Sequence, residues 1–509
     1  MVVTENSTIY YFLMIILSPL LGLFINLLFF KKKLPLGSRI ASLGIWIGFI
    51  NALSAWFIGL PFSEKNESWG FIANEISWLM ATLILFVSAI VHHFSLRYMA
   101  GDRNYRRYFL FLSLITISTL LMVASDNIVI LISFWSLSNL ILVLLMMHKF
   151  QWAAAKNSGV LAIKTFVLGL VFLSAGTGLL AYESGTMYLH LIVENSESLS
   201  PSIRMIALFF IILAAFSQSG GWPFHRWLIS SLNSPTPVSA FMHAGLVNGG
   251  GLLLARFAPI FLHESLLLNI LFMLAVITLI LGGIWKLLQS DIKRMLACST
   301  MTQMGFMMMQ CGLGLFPAAL AHLCWHGLFK AFLFLKSGST IAEHRRTNEE
   351  RVSTVPTFFL SSLCGVIGAL GFIFGSGLLF TLVDTTAVLI FFSWMASTQV
   401  AHTLLQKKQS IFFVLTASIF CLATGIIYGL TVDLIEVAVA PLQISQPQLL
   451  NSIHIIGITS IFCIWIALNL KPFTDHEGSL WWRRFYVRML NASQPDPKTI
   501  TSSRNGYKF

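Results

Sequence analysis

A chain of 509 residues that is 56% hydrophobic and only 10% charged, with a mean hydropathy of +0.80, excludes a water-soluble domain of ordinary size, since soluble chains carry roughly 25% charged residues. Its organisation is set instead by how many spans of about 20 apolar residues can be threaded through a bilayer. The net charge of +12 raises nucleic acid as a partner, but the placement of that charge along the chain excludes it.

The acidic amino terminus, MVVTENSTIYYF, runs into a long apolar stretch with no small-residue cleavage site, which predicts a retained first helix and not a cleaved signal. Apolar runs between breakers predict helices near Thr8 to Phe30, Arg39 to Gly59, Glu75 to Leu96, Tyr108 to Val123, Ile128 to Met147 and Gly159 to Ala181. Further runs begin near Met205, Val238, Ser265, Met295, Phe316, Thr357, Thr385, Ile411 and Ile453, the last ending near Asn469. The fold class expected is all-α integral membrane, with about 15 transmembrane helices.

With the amino terminus outside, every one of the 32 lysines and arginines falls on the inner side except Lys65, Arg204 and Arg256 outside and Lys164 and Lys330 within spans. Basic residues collect on the cytoplasmic side of membrane proteins. The basic excess is therefore topology, with a cytoplasmic carboxy terminus. Cys298, Cys311, Cys324, Cys364, Cys421 and Cys463 all fall in apolar segments without ligand spacing and read as small core residues. Beyond Lys471 the tail is aqueous: WWRRFYVRML mixes aromatic and basic residues as an interfacial helix does, and NASQPDPK reads as an extended arm. An anchor at the headgroups and a docking site for a partner are both open readings of it.

The stretch from Gly220 to Gly251, GGWPFHRWLISSLNSPTPVSAFMHAGLVNGGG, sets glycines and prolines beside His225, Arg226 and His243. Broken backbone beside ionisable side chains at membrane depth marks an ion path. An ionisable group in the bilayer costs several kcal/mol, of order 3 on insertion scales, unless it is paired or hydrated. Lys164, five residues into the expected sixth span, is read as a buried path lysine, with snorkelling to the interface as the alternative. His322, His326 and Lys330 recur at i, i+4 and i+8, along one helical face. Imidazoles titrating near neutrality and a desolvated lysine can pass protons; structural hydrogen bonding and a metal pair are the alternatives. His92, His93 and His402 read equally well as interfacial hydrogen-bonding groups.

DIKRMLACSTMTQMG (Asp291 to Gly305), HLCWHGLFKAFLFL (His322 to Leu335) and SPTPVSAFMHAG (Ser234 to Gly245) resemble the antiporter-type membrane subunits of respiratory complex I and of cation/proton antiporters. YMAGD (Tyr98 to Asp102) and ASDNI, which carries Asp126, resemble the same family upstream. PFHRWLISSLNSPTP, HAGLVNGGG and WWRRFYVRMLNASQP resemble more closely its branch of DabB-type subunits from inorganic-carbon accumulation systems. The resemblance implies two inverted five-helix repeats, each with a discontinuous helix, Gly220, Gly221 and Pro223 fitting the first break. It divides the chain into flanking helices (1–106), an ion-translocation core (107–345), carboxy-terminal transmembrane helices (346–470) and a cytoplasmic tail (471–509).

Two positions depart from the family pattern. Where the family carries a glutamate after tryptophan in the fifth span and a lysine before the broken seventh, this chain has Ser136 and Gln218. A carboxylate/lysine couple is therefore lost there, although serine and glutamine can line a hydrated path. The span from Thr357 to Phe380 has no charge to serve as the second broken-helix lysine. The expected path residues are Lys164, His243, His322, His326, Lys330, Ser136 and Gln218, with Asp126, His225, Asp291, Lys293 and His402 as supporting groups. The resemblance implies passage of protons or sodium, coupled to a cytoplasmic DabA-like partner whose zinc site, related to carbonic anhydrases, hydrates carbon dioxide. The chain itself is expected to be a multi-pass protein of the cell inner membrane with no cofactor, no metal and no enzyme activity of its own. A proton-pumping subunit of an NADH:quinone oxidoreductase and a cation/proton antiporter component are the alternatives, and a scaffold with a dead path is a weaker one.

Overall fold

The computed structural model describes residues 5–29, 34–58, 70–338, 355–378, 383–406, 410–470 and 479–500. Fifteen long helical segments occupy the positions expected from the sequence: α1 (Glu5–Phe29), α2 (Leu34–Ile58), α3 (Glu75–Tyr98), α4 (Tyr105–Ala124), α5 (Ile128–Met146), α6 (Ala153–Ser184), α7 (Pro201–Ser219), α8 (Thr236–Arg256, interrupted), α9 (Ser265–Leu287), α10 (Ile292–Gly312), α11 (Phe316–Lys336), α12 (Val355–Ser376), α13 (Thr386–Leu405), α14 (Ile411–Val439) and α15 (Ser452–Leu470). A shorter α16 (Leu480–Ala492) follows. Thirteen of these are long and apolar enough to cross a membrane. In α1 the apolar described stretch is Phe12–Leu28, and α10 is too polar to qualify by hydropathy. Its polar residues, from Lys293 to Gln310, lie between other helices, where a bundle tolerates them better than lipid does.

The turns sort into two sets that do not mix. On one face Ser38 meets Tyr105, Tyr98 meets Thr236, and His148 meets Asp102. On the same face Lys293 donates to the Ser234 carbonyl and Gln289 to Ser493. On the other face Phe71 bridges Ser125, Asn127 bridges Tyr188, Leu315 bridges Ser445 and Asp384 bridges Leu449. Arg204 also pairs with Glu264 there at 2.6 Å. This is the segregation that strict alternation of the spans produces. The described parts of the basic loops lie on the first face; Lys31 to Lys33, Lys65, Arg345, Arg346, Arg351, Lys407, Lys408, Lys471, Arg504 and Lys508 lie outside the described residues.

Close helix approach depends on small residues. At Gly327 of α11 an added Cβ would stand 2.8 Å from the Ala244 carbonyl oxygen of α8. Glycine at that point lets α8 and α11 meet backbone to backbone, and so brings His243 against the face that carries His326 and Lys330. Cys298, Cys311, Cys364 and Cys421 are buried as expected, whereas Cys463 is exposed on α15.

Two interruptions face each other in the middle of the fold. α7 stops at Gly220, which takes φ +64°, a conformation glycine adopts without the Cβ clash. A single turn, Arg226–Ile229, leads on to α8. α8 breaks at Gly245 and passes through a 3₁₀ turn over Leu246–Asn248 before resuming at Gly249. The carbonyls freed at the second break are taken by side chains of α7: Gln218 Nε2 donates to Leu246 O at 3.3 Å and Ser219 Oγ to Val247 O at 2.6 Å. A backbone group left bare in an apolar interior costs about 1–3 kcal/mol. The two breaks stabilise one another.

Candidate functional site

The row on α11 is present and buried. Lys330 is fully enclosed, and its Nζ donates to Ser299 Oγ at 2.7 Å and to Leu296 O at 3.3 Å, both on α10. One turn away His326 is buried and faces the main chain of His243. The His243 ring lies flat on Phe334, with centroids 4.3 Å apart. One further turn along, His322 stands 6.1 Å from His326, ring to ring, and packs on Phe306 at 5.1 Å.

Several polar atoms along this line have no hydrogen-bond partner among the described residues. They are Nε2 of His322 and of His326, Nδ1 of His243, Oδ1 of Asn248 and both ends of the Gln310 amide. Beyond His322 the Tyr428 hydroxyl of α14 faces the Gln310 amide, and neither completes a hydrogen bond of normal geometry. Buried polar groups are almost always satisfied, by protein or by ordered water. Groups of this kind are what ordered water ordinarily satisfies in protein interiors. The other end of the row leads to Lys293, whose Nζ reaches the Ser234 carbonyl at 3.2 Å on the basic face.

The second polar cluster is closed. Gln218 and Asn139 exchange two hydrogen bonds, Asn139 Nδ2 to Gln218 Oε1 at 3.0 Å and Gln218 Nε2 to Asn139 Oδ1 at 2.9 Å. Ser136 takes no part in this pair. Its hydroxyl donates at 2.7 Å to Ile132 O of its own helix, as a serine in a helix does when no better acceptor is in reach. Asn139, one turn along α5, stands in for it. The sequence signal was there: Ser136 and Asn139 are i, i+3 on one face of a mostly apolar span.

Lys164 must be corrected. α6 begins at Ala153, six residues before the sequence placed it, and Lys164 is exposed on the outer wall of the bundle among Val160, Val167, Leu168 and Val171. It is not part of the row. The other supporting groups are scattered. Asp291 is exposed and caps α10, accepting from the Arg294 amide at 3.0 Å. Asp126 sits on the face opposite the basic loops, bound to His190 Nδ1 at 2.5 Å. His402 joins α13 to α12 through Ser361 at 3.3 Å and bonds Gln406 at 2.9 Å. His225, at the α7 break, packs at a tilt against Trp285, with ring centroids 4.7 Å apart, and keeps an open Nδ1. Sequence reasoning missed Asn139, Ser299, Gln310 and Tyr428, each a polar residue whose partner lies on another helix.

Known proteins share this architecture. The family described as NADH:quinone oxidoreductase/Mrp antiporter, TM, matches residues 125–393, and that described as NADH-ubiquinone oxidoreductase (complex I), chain 5 N-terminus, matches residues 60–109. A Halothiobacillus neapolitanus protein described as a probable inorganic carbon transporter subunit DabB1 is 36% identical over 68% of this chain, which spans 64% of that relative's length. A Bacillus anthracis protein described as a probable inorganic carbon transporter subunit DabB is 30% identical, over 90% of both chains. Among solved structures, the Mrp complex from Dietzia sp. DQ12-45-1b matches 94% of this chain and 58% of its own with a TM-score of 0.62 at 20% identity, a likeness of fold. The chain belongs to the NADH:quinone oxidoreductase/Mrp antiporter family of multi-pass membrane subunits, in the part of it that holds the DabB inorganic-carbon transporter subunits.

Proposed function

We propose that this chain carries protons inward through the α11 row and thereby drives a cytoplasmic DabA-like zinc protein that hydrates carbon dioxide to bicarbonate. The supporting observation is a succession of buried or half-buried titratable and open polar groups: Gln310 and Tyr428, His322, His326, His243 with Lys330, and then Lys293. Proton transfer needs donors and acceptors linked directly or through one water, and the row offers such groups at successive helical turns, with bridging water as part of the proposal. The Gln218–Asn139 pair cannot change charge, so the other half carries no proton. The basic loops set the inner side of the cell inner membrane, where the partner docks. The names of the relatives favour inorganic carbon as the process served, and the zinc resides in the partner.

Purification of the tagged chain with whatever accompanies it, combined with inorganic-carbon uptake in cells, tests this reading. A zinc-containing partner should co-purify, and Lys330→Ala should lower uptake by about 10²-fold, the scale of losing one proton-transfer group. Partners bearing flavin and iron-sulfur centres would instead make the chain a quinone oxidoreductase subunit. Unchanged uptake in Lys330→Ala would make it a scaffold.

A further inference from the structure

The α16 helix and the arm after it are not used by the proton path. None of the residues of α16 is buried. At 100° per residue Trp481, Trp482, Phe485, Tyr486, Met489 and Leu490 form one side of the helix, and Arg483, Arg484 and Arg488 lie on the other, all three exposed. On the aromatic side Trp481 is about seven-tenths exposed and Tyr486 about half; Leu480 and Val487, also exposed, project on the arginine side. Trp481 stacks on Phe485 at 5.6 Å, extending the apolar side. Met489 packs on the bundle, and Gln289, in the turn between α9 and α10, donates to Ser493 Oγ at 2.9 Å, so the helix is held at the basic face, level with the ends of the spans.

From Ser493 the chain crosses that face as a strap. The Asp496 amide donates to Ser230 Oγ at 3.1 Å, Asn157 Nδ2 to Lys498 O at 2.8 Å, and Asn233 Nδ2 to Thr499 O at 2.9 Å. Ser493, Pro495 and Thr499 are buried by these contacts. The strap touches Asn233 while Lys293 touches Ser234, so it lies over the inner end of the row.

We propose that α16 lies in the cytoplasmic membrane interface, with its aromatic side at the acyl boundary and its arginines on anionic lipid headgroups, and so anchors the strap over the inner end of the row. Charge complementarity favours a lipid surface: segregated aromatic and arginine sides on a short helix just beyond a last transmembrane span are what an anionic interface binds. The lipid contact stands whatever ion the row carries.

Hydrogen exchange of residues 480–500 in the full chain, held in nanodiscs of phosphatidylcholine alone or with phosphatidylglycerol added, tests this. Exchange should slow by about tenfold in the anionic discs, given the attraction of each arginine to such a surface. The R483Q/R484Q/R488Q variant changes exposed side chains only, so it keeps the fold, and in it the difference should vanish. Equal exchange in both lipids overturns the proposal. So does equal protection from inorganic phosphate added to phosphatidylcholine discs, or protection that appears only when a soluble partner protein is present.

Discussion

Lys330 is enclosed on every side, and among the described residues its ammonium donates to two neutral oxygens; a lysine can release its proton in such a place, whereas an arginine cannot. Lys330→Arg therefore keeps the positive charge but fails to release the proton, and uptake should fall with it; uptake near the wild-type rate would show that the charge alone matters. The amide pair predicts the opposite pattern. Gln218→Leu and Asn139→Leu should each cost about 1–3 kcal/mol of stability by stranding the partner amide. The double variant should cost less than the sum of the two, and none of the three should slow transport, which thermal denaturation and uptake assays check together. At the turn after α5, burial pushes His148 below the usual imidazole range, against the opposing pull of Asp102. The neutral ring is favoured in the folded chain, so this stabilisation is present above about pH 6.5 and lost as the pH falls through and below it. The purified wild type should lose more thermal stability than His148→Gln between neutral and mildly acid pH. Residue by residue, the spacing of His322, His326 and Lys330 was readable because helical period alone aligns them. Lys164 was not, because period says which residues share a face and not which face turns inward.

Helices, taken as elements, were placed well by their apolar runs, since a span in lipid must satisfy its own backbone and tolerates few breakers. Their ends were not, and α6 shows the cost: six extra residues at its start move Lys164 about 9 Å deeper along the helix than supposed. The breaks were legible from glycine and proline, but the meeting of the two breaks through Gln218 and Ser219 was not, because it depends on which helices lie side by side. A second close approach, of α8 to α11, rests on Gly327. Gly327→Val should push α8 from α11, sever the His243 contact and lower transport at least about tenfold while helical content stays near that of the wild type. Full activity in that variant would show that the close approach is dispensable.

For the whole molecule, the two sets of turns predict that positions such as Gln443 and Lys498, both exposed, lie on opposite sides of the membrane. Cysteines placed there should react with an impermeant maleimide from outside at position 443 and only after lysis at position 498. That the described basic turns share one face was legible in the charge pattern, whereas the strap that crosses that face was not, since its contacts run between residues more than 200 positions apart. A proton route through α11 is tested most directly in vesicles. The purified chain, reconstituted in vesicles with the proteins that accompany it and a pH-sensitive dye inside, should dissipate an imposed proton gradient. Lys330→Ala and His326→Ala should hold the gradient, and Gln218→Leu should not. A wild type and a Lys330→Ala variant that move protons at the same rate would contradict it.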